Sequence, residues 1–326
     1  MTQALAVQLT EFGGPEVMKR VSFELPPPGS GDVQIRQTAI GFNYLDVYQR
    51  TGRYPLPTPT GLGHEAAGVV EAVGPDVGDL RVGDRVVYMN AGIGAYADRR
   101  NVPAAKLVKL PDGMADDVAA ALFFKAMTAQ YLVKTTYRVR AGDIVVVHAA
   151  AGGVGQILSA WAKALGATVI GTAGSPAKCE IARAAGCDIA IDYSTPDWVA
   201  RVIDASGGKK AHVVYDSVGR STFDGSLDIA APFGYVVVYG AASGPIPPFD
   251  IDLLNRKGCL FLTRPSVFPH NATVDLLRAN ARDVFDAYEK GLIRAQIGAR
   301  FGLQDIERAH IAAESRSTTG AIVITP

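Results

Sequence analysis

The sequence predicts an α/β protein in which a strand-rich first part precedes a doubly wound parallel sheet. Short strand-like segments and proline-rich loops fill roughly the first 125 residues. From Asp143 onward, apolar strands alternate with helical segments, which is the pattern of a parallel sheet covered by helices. A chain of 326 residues is also long enough to form two hydrophobic cores.

The first part contains three segments that are typical of strands and are bounded by glycine and proline. They are residues 33–36, 67–74 and 84–88. The proline-rich stretches 26–29 and 54–59 are predicted as loops, because proline lacks the N–H group that a strand ladder uses.

Asp116 is expected to cap a helix that runs through residues 119–124. A second helix is predicted over residues 128–135. These two helices separate the strand-rich first part from the alternating segments that follow.

The middle of the chain then repeats strand and helix. Residues 144–147 are uniformly apolar, as expected of a strand with both faces covered. The predicted strands are 144–147, 168–171, 189–191, 212–216, 235–239 and 258–263, and the predicted helices are 156–165, 177–185, 198–205 and 223–229. This succession implies a right-handed parallel sheet with helices on both faces.

The tail is predicted to contain a helix over residues 274–290, ended by Gly291, a helix over 304–314 and a strand over 320–324. It shows no apolar core of its own. We therefore expect it to return and pack on the first part.

Composition indicates an enzyme of the cytoplasm. Lysine and arginine balance aspartate and glutamate at 32 each, so neither nucleic acid nor an anionic membrane is expected as a partner. Three cysteines are too few for a disulfide framework and indicate a reducing compartment. The first residues lack the pattern of a signal peptide, and the apolar runs are too short for a membrane helix.

A glycine-rich turn predicts a dinucleotide site. Residues 150–155 read Ala-Ala-Gly-Gly-Val-Gly, between a predicted apolar strand and a predicted helix. Gly152 would let the backbone approach a pyrophosphate, and Gly155 would let the helix pack closely on the strand. A tight turn without a ligand is the alternative, but the strand–helix repeats behind it favour the dinucleotide.

The end of the next strand indicates which dinucleotide binds. An NAD site places an acid about 20 residues beyond the turn, whereas residues 171–178 contain none. Gly174, Ser175 and Lys178 stand there instead, and Ser175 with Lys178 could hold a 2′-phosphate. An ordinary solvated helix lysine is the alternative for Lys178. The missing acid favours NADPH.

Several motifs carry a resemblance to a known family that extends over essentially the whole chain. They are residues 11–17, 41–46 (Gly-Phe-Asn-Tyr-Leu-Asp), 48–55, 83–86, 215–219 (Tyr-Asp-Ser-Val-Gly) and 263–266. With them the sequence resembles the medium-chain dehydrogenases/reductases and, within these, the zeta-crystallin-like NADPH-dependent quinone oxidoreductases.

The resemblance implies a GroES-like, β-rich catalytic domain formed by residues 1–125 and 265–326. Residues 126–264 would form a Rossmann domain that binds NADPH. The cofactor is expected in the cleft between the two domains.

The resemblance also implies roles for individual residues. Asn43, Tyr48 and Tyr54 would be the catalytic residues, with Tyr48 and Tyr54 flanking the quinone; ordinary half-buried loop aromatics are the alternative for the two tyrosines. Among the cofactor residues, Tyr131 would lie beside the nicotinamide together with Asn43 and Tyr48. The pyrophosphate would be bound by Gly152, Gly153, Val154 and Gly155, and the 2′-phosphate by Gly174, Ser175, Lys178 and Tyr193. The rest of the cofactor would be lined by Ser217, Gly240, Ala241, Ser266, Phe268 and Arg316.

No metal site is expected. His64 keeps the form of a zinc-ligand motif of the alcohol dehydrogenases, but Asn43 occupies the place of their first cysteine ligand, and no cysteine precedes Cys179. His64 is interpreted as a pocket or core residue that is hydrogen-bonded to its neighbours. An oxygen-rich site formed by His64, Asp46 and Glu65 is the alternative.

The sequence therefore predicts metal-free hydride transfer from NADPH to a small quinone. A quinone delocalises the charge that it gains, so water or Tyr54 would suffice as proton source and no essential general acid is expected. The alternatives are an enone reductase, a zinc alcohol dehydrogenase and an NADPH-binding RNA-binding or crystallin-like protein; zero net charge without a basic run disfavours the last. A homodimer is expected through the edge strand 258–263.

Overall fold

The structure is a computed structural model that describes residues 2–315 and 318–326. The chain divides into two units. The first comprises Met1–Phe124, Asn271–Phe285 and Ala295–Pro326, and the second comprises Lys125–His270 and Asp286–Arg294.

The first stretch of unit one is rich in strands. The strands are β1 (Thr2–Leu9), β2 (Met18–Leu25), β3 (Asp32–Gly41), β4 (Thr60–Gly61), β5 (Glu65–Val73), β6 (Arg85–Met89), β7 (Arg99–Pro103) and β8 (Leu107–Lys109). A short helix, α1 (Tyr44–Arg50), and two 3₁₀ turns, Pro15–Val17 and Ala104–Lys106, connect them.

A long buried helix, α2 (Asp116–Tyr131), follows and continues into a π-helical turn at Leu132–Thr136. The prediction of two separate helices here is wrong. Lys125, Ala126 and Met127, between the two predicted segments, are all buried and contain neither glycine nor proline, so nothing interrupts the helix.

The second unit alternates strands and helices. Its strands are β9 (Ile144–Val147), β10 (Thr168–Ala173), β11 (Ile189–Asp192), β12 (Ala211–Asp216), β13 (Ala230–Val238) and β14 (Phe261–Thr263), and its helices are α3 (Gly153–Ala164), α4 (Pro176–Ala184), α5 (Trp198–Ala205), α6 (Phe223–Ile229), α7 (Asp252–Arg256) and α8 (Val267–His270).

The strand order of the second unit is β11-β10-β9-β12-β13-β14, and every neighbouring pair is parallel. The chain therefore starts in the middle of the sheet, builds one half and then crosses to build the other, as in a doubly wound Rossmann sheet. Apolar side chains of the strands, including Val146, Ile170 and Val214, form one core with Leu227 of α6. The predicted Rossmann sheet is confirmed.

The edge strand β14 is shorter than the predicted segment 258–263. Gly258 has φ +117° and Cys259 has φ +56°, a left-handed conformation that no regular strand contains. The strand therefore begins only at Phe261.

The tail supplies α9 (Val274–Glu289), β15 (Ile297–Gly302), a 3₁₀ turn at Leu303–Asp305, α10 (Ile306–Glu314) and β16 (Ala321–Thr325). β16 pairs antiparallel with β3, so the expected return of the tail to the first part is confirmed. The helix predicted over 304–314 is shorter, because the 3₁₀ turn precedes it.

In the first unit, one sheet has the order β15-β16-β3-β5-β6-β8, with β7 also paired to β3, and a smaller sheet has the order β2-β1-β4. Buried side chains such as Ile35, Ile40, Val86 and Tyr88 form its core. This β-rich unit agrees with the predicted GroES-like fold. In the described part of the chain, no helix is long and apolar enough to cross a membrane.

Candidate functional site

The glycine turn joins β9 to α3 and brings backbone atoms into close contact. A Cβ atom at Gly155 would lie 2.3 Å from the carbonyl oxygen of Ala149 and 2.8 Å from Cα of Ala150, so only glycine fits. Ala149 itself has φ +52°, and its carbonyl accepts the N–H of Gly152 at 2.9 Å. The turn therefore holds the first helical residues directly against the end of the strand.

The helix start offers an anion site. α3 begins at Gly153 after Gly152, whose extended backbone (φ −79°, ψ 171°) receives no capping side chain among the described residues. The first turn of the helix contains no acid. Its N–H groups and the positive end of the helix dipole are therefore suited to a phosphate.

The predicted 2′-phosphate residues lie together at the ends of β10 and β11. Ser175 is the N-cap of α4, and its hydroxyl accepts the N–H of Lys178 at 3.3 Å. The N–H of Tyr193 donates to the carbonyl of Ala173 at 2.9 Å, and a Cβ atom at Gly174 would lie 3.5 Å from the Tyr193 hydroxyl. The strand end that carries an acid in NAD sites thus presents a hydroxyl, a lysine and a tyrosine.

Further predicted residues lie at the ends of β12 and β13. A Cβ atom at Gly240 would lie 2.7 Å from the carbonyl oxygen of Ser217, so these two loops also touch through backbone. The Ser217 carbonyl accepts the N–H of Ala242 at 3.1 Å, beside Ala241. Ser266 and Phe268 follow β14, where the N–H of Phe268 donates to the Ser266 hydroxyl at 3.4 Å.

Tyr131 lies at the end of α2 with its ring stacked on His270, at a centroid distance of 4.4 Å and an interplanar angle of 6°. Burial raises the pKa of Tyr131, and the neighbouring Tyr239 raises it further, whereas Arg264 opposes the shift. Burial also raises the pKa of Tyr239 to about 12. Both phenols are therefore protonated at neutral pH.

A buried polar network below these loops was not foreseen from the sequence. The His148 ring is 2.7 Å from the Thr172 hydroxyl and 3.0 Å from the Ser226 hydroxyl, which donates to Asp216 at 2.9 Å. Burial lowers the pKa of His148, although the charge of Asp216 acts in the opposite direction. A neutral histidine therefore links the ends of β9, β10 and β12.

Arg264 belongs to the motif 263–266, but no role was predicted for it. Its guanidinium donates to the carbonyls of Val238 and Gly240 at 3.3 Å each. The arginine thereby holds the loop in which Gly240 and Ala241 lie. Its signal in the sequence is its place in this motif, directly after the edge strand.

Asn43 is fixed within the first unit by a buried carboxylate. Its amide nitrogen donates to Glu65 at 3.0 Å, and Glu65 also accepts the backbone N–H of Phe124. The N–H of Asn43 donates to Asp46 at 3.0 Å, and Asp46 accepts the Tyr96 hydroxyl at 2.8 Å. Asn43, the N-cap of α1, is therefore held in one orientation by these bonds.

The predicted acceptor tyrosines are neighbours. The rings of Tyr48 and Tyr54 meet edge to face at a centroid distance of 5.3 Å, and Tyr44 meets Tyr48 in the same way at 5.2 Å. Tyr48 is buried, whereas 38% of Tyr54 is exposed. Edge-to-face contacts of this kind hold aromatic rings in fixed orientations.

His64 is a buried, neutral histidine. Its Nε2 lies 2.9 Å from Oε1 of Gln49, and its ring lies near that of Phe124. Burial lowers its pKa to about 4, and the positive charge of Arg100 contributes. Its interpretation as a residue hydrogen-bonded to its neighbours agrees with this geometry.

The structure thus gathers the predicted residues into one set within each unit. The glycine turn, the phosphate residues and the loops after β12, β13 and β14 lie at one edge of the Rossmann sheet, and Asn43, Tyr48 and Tyr54 lie on or beside α1. Arg316, the remaining predicted residue, lies outside the described residues.

Fold and sites together define a medium-chain dehydrogenase/reductase. A family model described as "Alcohol dehydrogenase GroES-like domain" matches residues 29–112, and one described as "Zinc-binding dehydrogenase" matches residues 153–270. The resemblance to the medium-chain dehydrogenases/reductases is therefore confirmed in both the GroES-like and the dinucleotide-binding part of the chain.

Full-length relatives narrow the family. The chain is 44% identical to a quinone oxidoreductase of Pseudomonas aeruginosa, over 99% of this chain and 100% of the relative. It is 42% identical to a 2-haloacrylate reductase of Burkholderia, over 99% of both chains. The crystal structure of an Escherichia coli quinone oxidoreductase complexed with NADPH is similar with a TM-score of 0.96, at 40% identity over 99% of this chain and 100% of that chain. The chain belongs to the quinone oxidoreductase family.

One family description implies zinc, and the residues present do not fit it. Asn43 donates a hydrogen bond to Glu65 where a ligand would be needed, and Nε2 of His64 faces Gln49. Among the described residues, no group of three or more His, Cys, Asp or Glu side chains could hold a metal ion. The alternative site of His64, Asp46 and Glu65 is therefore absent from the described part of the chain.

His64 predicts a specific sensitivity to acid. Its pKa of about 4 in the folded protein lies below the ordinary value of 6.5, so the unfolded chain takes up the proton first. Stability from this residue is therefore complete above about pH 6.5 and is lost as the pH falls towards about 4. At about pH 5 the expected loss is roughly 2 kcal/mol.

Urea unfolding at about pH 7.5 and about pH 5 measures this loss. The H64Q variant should lose less stability between the two pH values than the natural protein does. An H64Q variant as acid-sensitive as the natural protein would show that His64 is not the cause.

Proposed function

We propose that this chain is an NADPH-dependent quinone oxidoreductase. The observation that carries the proposal is the end of β10, where Ser175 and Lys178 replace the acid of NAD sites, in a chain 44% identical to a quinone oxidoreductase. A known relative, the Escherichia coli quinone oxidoreductase, has been crystallised with NADPH.

The residues at the edge of the Rossmann sheet fit such a cofactor. The close backbone contact at Gly155 and the uncapped start of α3 suit a pyrophosphate. We propose that Gly152, Gly153 and Val154 bind it. Ser175, Lys178 and Tyr193 beside Gly174 suit a 2′-phosphate, because a cation and hydroxyls bind phosphate oxygens. We propose that Tyr131, Ser217, Gly240, Ala241, Ser266 and Phe268 line the remainder. Arg316, which lies outside the described residues, stays a prediction.

Bound NADPH supplies a hydride from the nicotinamide ring. Asn43, Tyr48 and Tyr54 act on the acceptor: the two tyrosines flank its flat ring, and Asn43, held by Glu65, orients it. One hydride and one proton convert the quinone to a hydroquinone. The proton comes from water or from the Tyr54 hydroxyl, which is the more exposed of the pair.

The side chains at the proposed acceptor site explain why we propose a quinone as the acceptor. Reduction of a ketone or aldehyde concentrates charge on one oxygen and calls for a metal or a positioned acid. Asn43 and a neutral His64 supply neither. A quinone spreads the charge over its conjugated ring, so orientation is the main requirement.

An activated-alkene reductase is the second candidate. It is favoured by the relative named 2-haloacrylate reductase, which is 42% identical over 99% of this chain. An enone or acrylate is flat and conjugated like a quinone, and the same tyrosine pair would accept it.

We further propose that the protein acts in the cytoplasm on small molecules, with neither nucleic acid nor membrane as a partner. Balanced charge, with 32 residues of each sign, supports this.

The proposed domains are a catalytic domain of residues 1–125 and 265–326 and a cofactor domain of residues 126–264. The β14 edge is proposed to pair with its copy in a homodimer, and half-exposed Phe261 lies on it, stacked on Tyr235.

Steady-state turnover of quinones, enones, ketones and alcohols with NADPH and NADH tests the proposed reaction. Quinones should be reduced, with kcat/KM for NADPH at least about tenfold above that for NADH. A chelator should leave the rate unchanged. Turnover confined to enones would select the second candidate, and chelator-sensitive oxidation of alcohols would refute both.

The cofactor preference should reverse when an acid is introduced at the end of β10. S175D keeps a good N-cap for α4 but places a negative charge where the 2′-phosphate is proposed to bind. The ratio of kcat/KM for NADPH to that for NADH should fall by about tenfold to a hundredfold. S175N is the matched control, because it also caps the helix but adds no charge. An equal ratio in S175D and S175N would contradict this assignment.

The proposed dimer should depend on Phe261. F261D places a charge on the edge strand, and we expect a monomer by size-exclusion chromatography with light scattering. V82D changes a side chain that is 64% exposed in the other unit and should leave a dimer. A natural protein that is monomeric, or an F261D variant that is still dimeric, would contradict the proposed interface.

A further inference from the structure

An arginine lies on the face of one of the two proposed acceptor tyrosines. The Arg53 guanidinium carbon is 4.5 Å from the centroid of the Tyr48 ring and 6.0 Å from that of Tyr54. The two rings themselves meet edge to face at 5.3 Å. The positive charge of Arg53 therefore lies close to both tyrosine rings.

The backbone fixes this arrangement. Gly52 has φ +74°, and a Cβ atom there would lie 2.9 Å from the Phe12 ring, so the turn after α1 needs glycine. The N–H of Gly52 donates to the Gln49 carbonyl at 3.0 Å, and the N–H of Tyr54 donates to the Tyr48 carbonyl at 3.0 Å. These bonds turn the chain back on α1 and bring Arg53 onto Tyr48.

The chemistry of the guanidinium group gives this position a consequence for binding. Its flat face stacks on an aromatic ring, while its N–H groups lie in the plane and form paired hydrogen bonds to carboxylate or sulfonate oxygens. One arginine can therefore stack on a tyrosine and bind an anion at the same time. A half-buried cation beside an aromatic pair also attracts negative ligands over a distance of about 10 Å at about 0.1 M salt.

We propose that Arg53 is a specificity-determining residue that favours electron acceptors with an acidic substituent, namely quinones or enones that carry a carboxylate or sulfonate group. The proposal rests on the proposed function, in which Tyr48 and Tyr54 flank the acceptor. The tyrosines bind the flat ring, and Arg53 binds the anionic group attached to it.

The test compares two acceptors that differ by one charge, 1,4-naphthoquinone and its 2-sulfonate, with NADPH as donor. In R53M, which keeps an unbranched apolar side chain, kcat/KM should fall about tenfold or more for the sulfonate and less than about twofold for the neutral quinone. R53K keeps the charge and should retain most of the preference. Raising the salt concentration to about 0.5 M should reduce the preference of the natural protein for the sulfonate.

Arg294 supplies a matched control. Its guanidinium lies 5.5 Å from the Tyr288 ring in the second unit, so R294M also removes an arginine from a tyrosine face. This variant should change the two acceptors equally. Each variant is first checked for a natural thermal transition, and if R53M does not fold, R53K and the salt dependence of the natural protein still decide.

The outcomes separate the two proposals. If the natural protein reduces neither quinone, the proposed function fails, and this inference fails with it. If it reduces both and R53M lowers the two rates by the same factor, Arg53 only supports the tyrosines and the specificity role is refuted. A selective loss with the sulfonate, absent from R294M, is the result that we expect.

Discussion

The contact between the start of α3 and the turn that precedes it is the constraint on which the proposed cofactor site depends. Gly155 has no room for a Cβ atom, since the Ala149 carbonyl would lie only 2.3 Å away. This closeness places the first N–H groups of the helix at the end of β9, in the middle of the sheet, where the strand order reverses. A larger side chain would push the helix outward and remove the dipole and the N–H groups from the place where a pyrophosphate binds.

A second constraint keeps the neighbouring loops in register with that turn. Asp216 is completely buried, and its carboxylate accepts the N–H groups of Val218 and Gly219 and the hydroxyls of Thr222 and Ser226. A buried carboxylate is tolerable only with this many donors. Because Ser226 also contacts His148, the loop after β12 is tied to the residue that directly follows β9, two positions before the glycine turn. Rigid support of this kind fixes the geometry of a binding site more closely than direct contacts alone.

Sequence patterns predicted elements with a clear apolar signal, and they missed some elements whose buried residues are polar or few. The uniformly apolar β9 and the glycine turn were readable, because burial on both faces leaves a clear composition signal. α1 was missed since its buried residues include Asp46, Gln49 and Arg50, which give a seven-residue helix no apolar stripe. β2 was missed because only its two end residues are buried. The His148 network could not be found either, as His148 and Ser226 are 78 residues apart and no local spacing connects them.

The pKa values of the buried titratable groups favour an electron acceptor whose reduction needs little acid catalysis. An efficient general acid at neutral pH has a pKa near 7. Burial instead lowers the pKa of His64 to about 4 and that of His310 to about 3, and raises that of Tyr239 to about 12. These shifts move the three pKa values away from neutrality, so each group keeps one protonation state near pH 7. Hydride transfer in such surroundings favours an acceptor that stabilises its own charge. In the proposed role of Arg53, its positive charge selects which acceptor binds and does not protonate the acceptor.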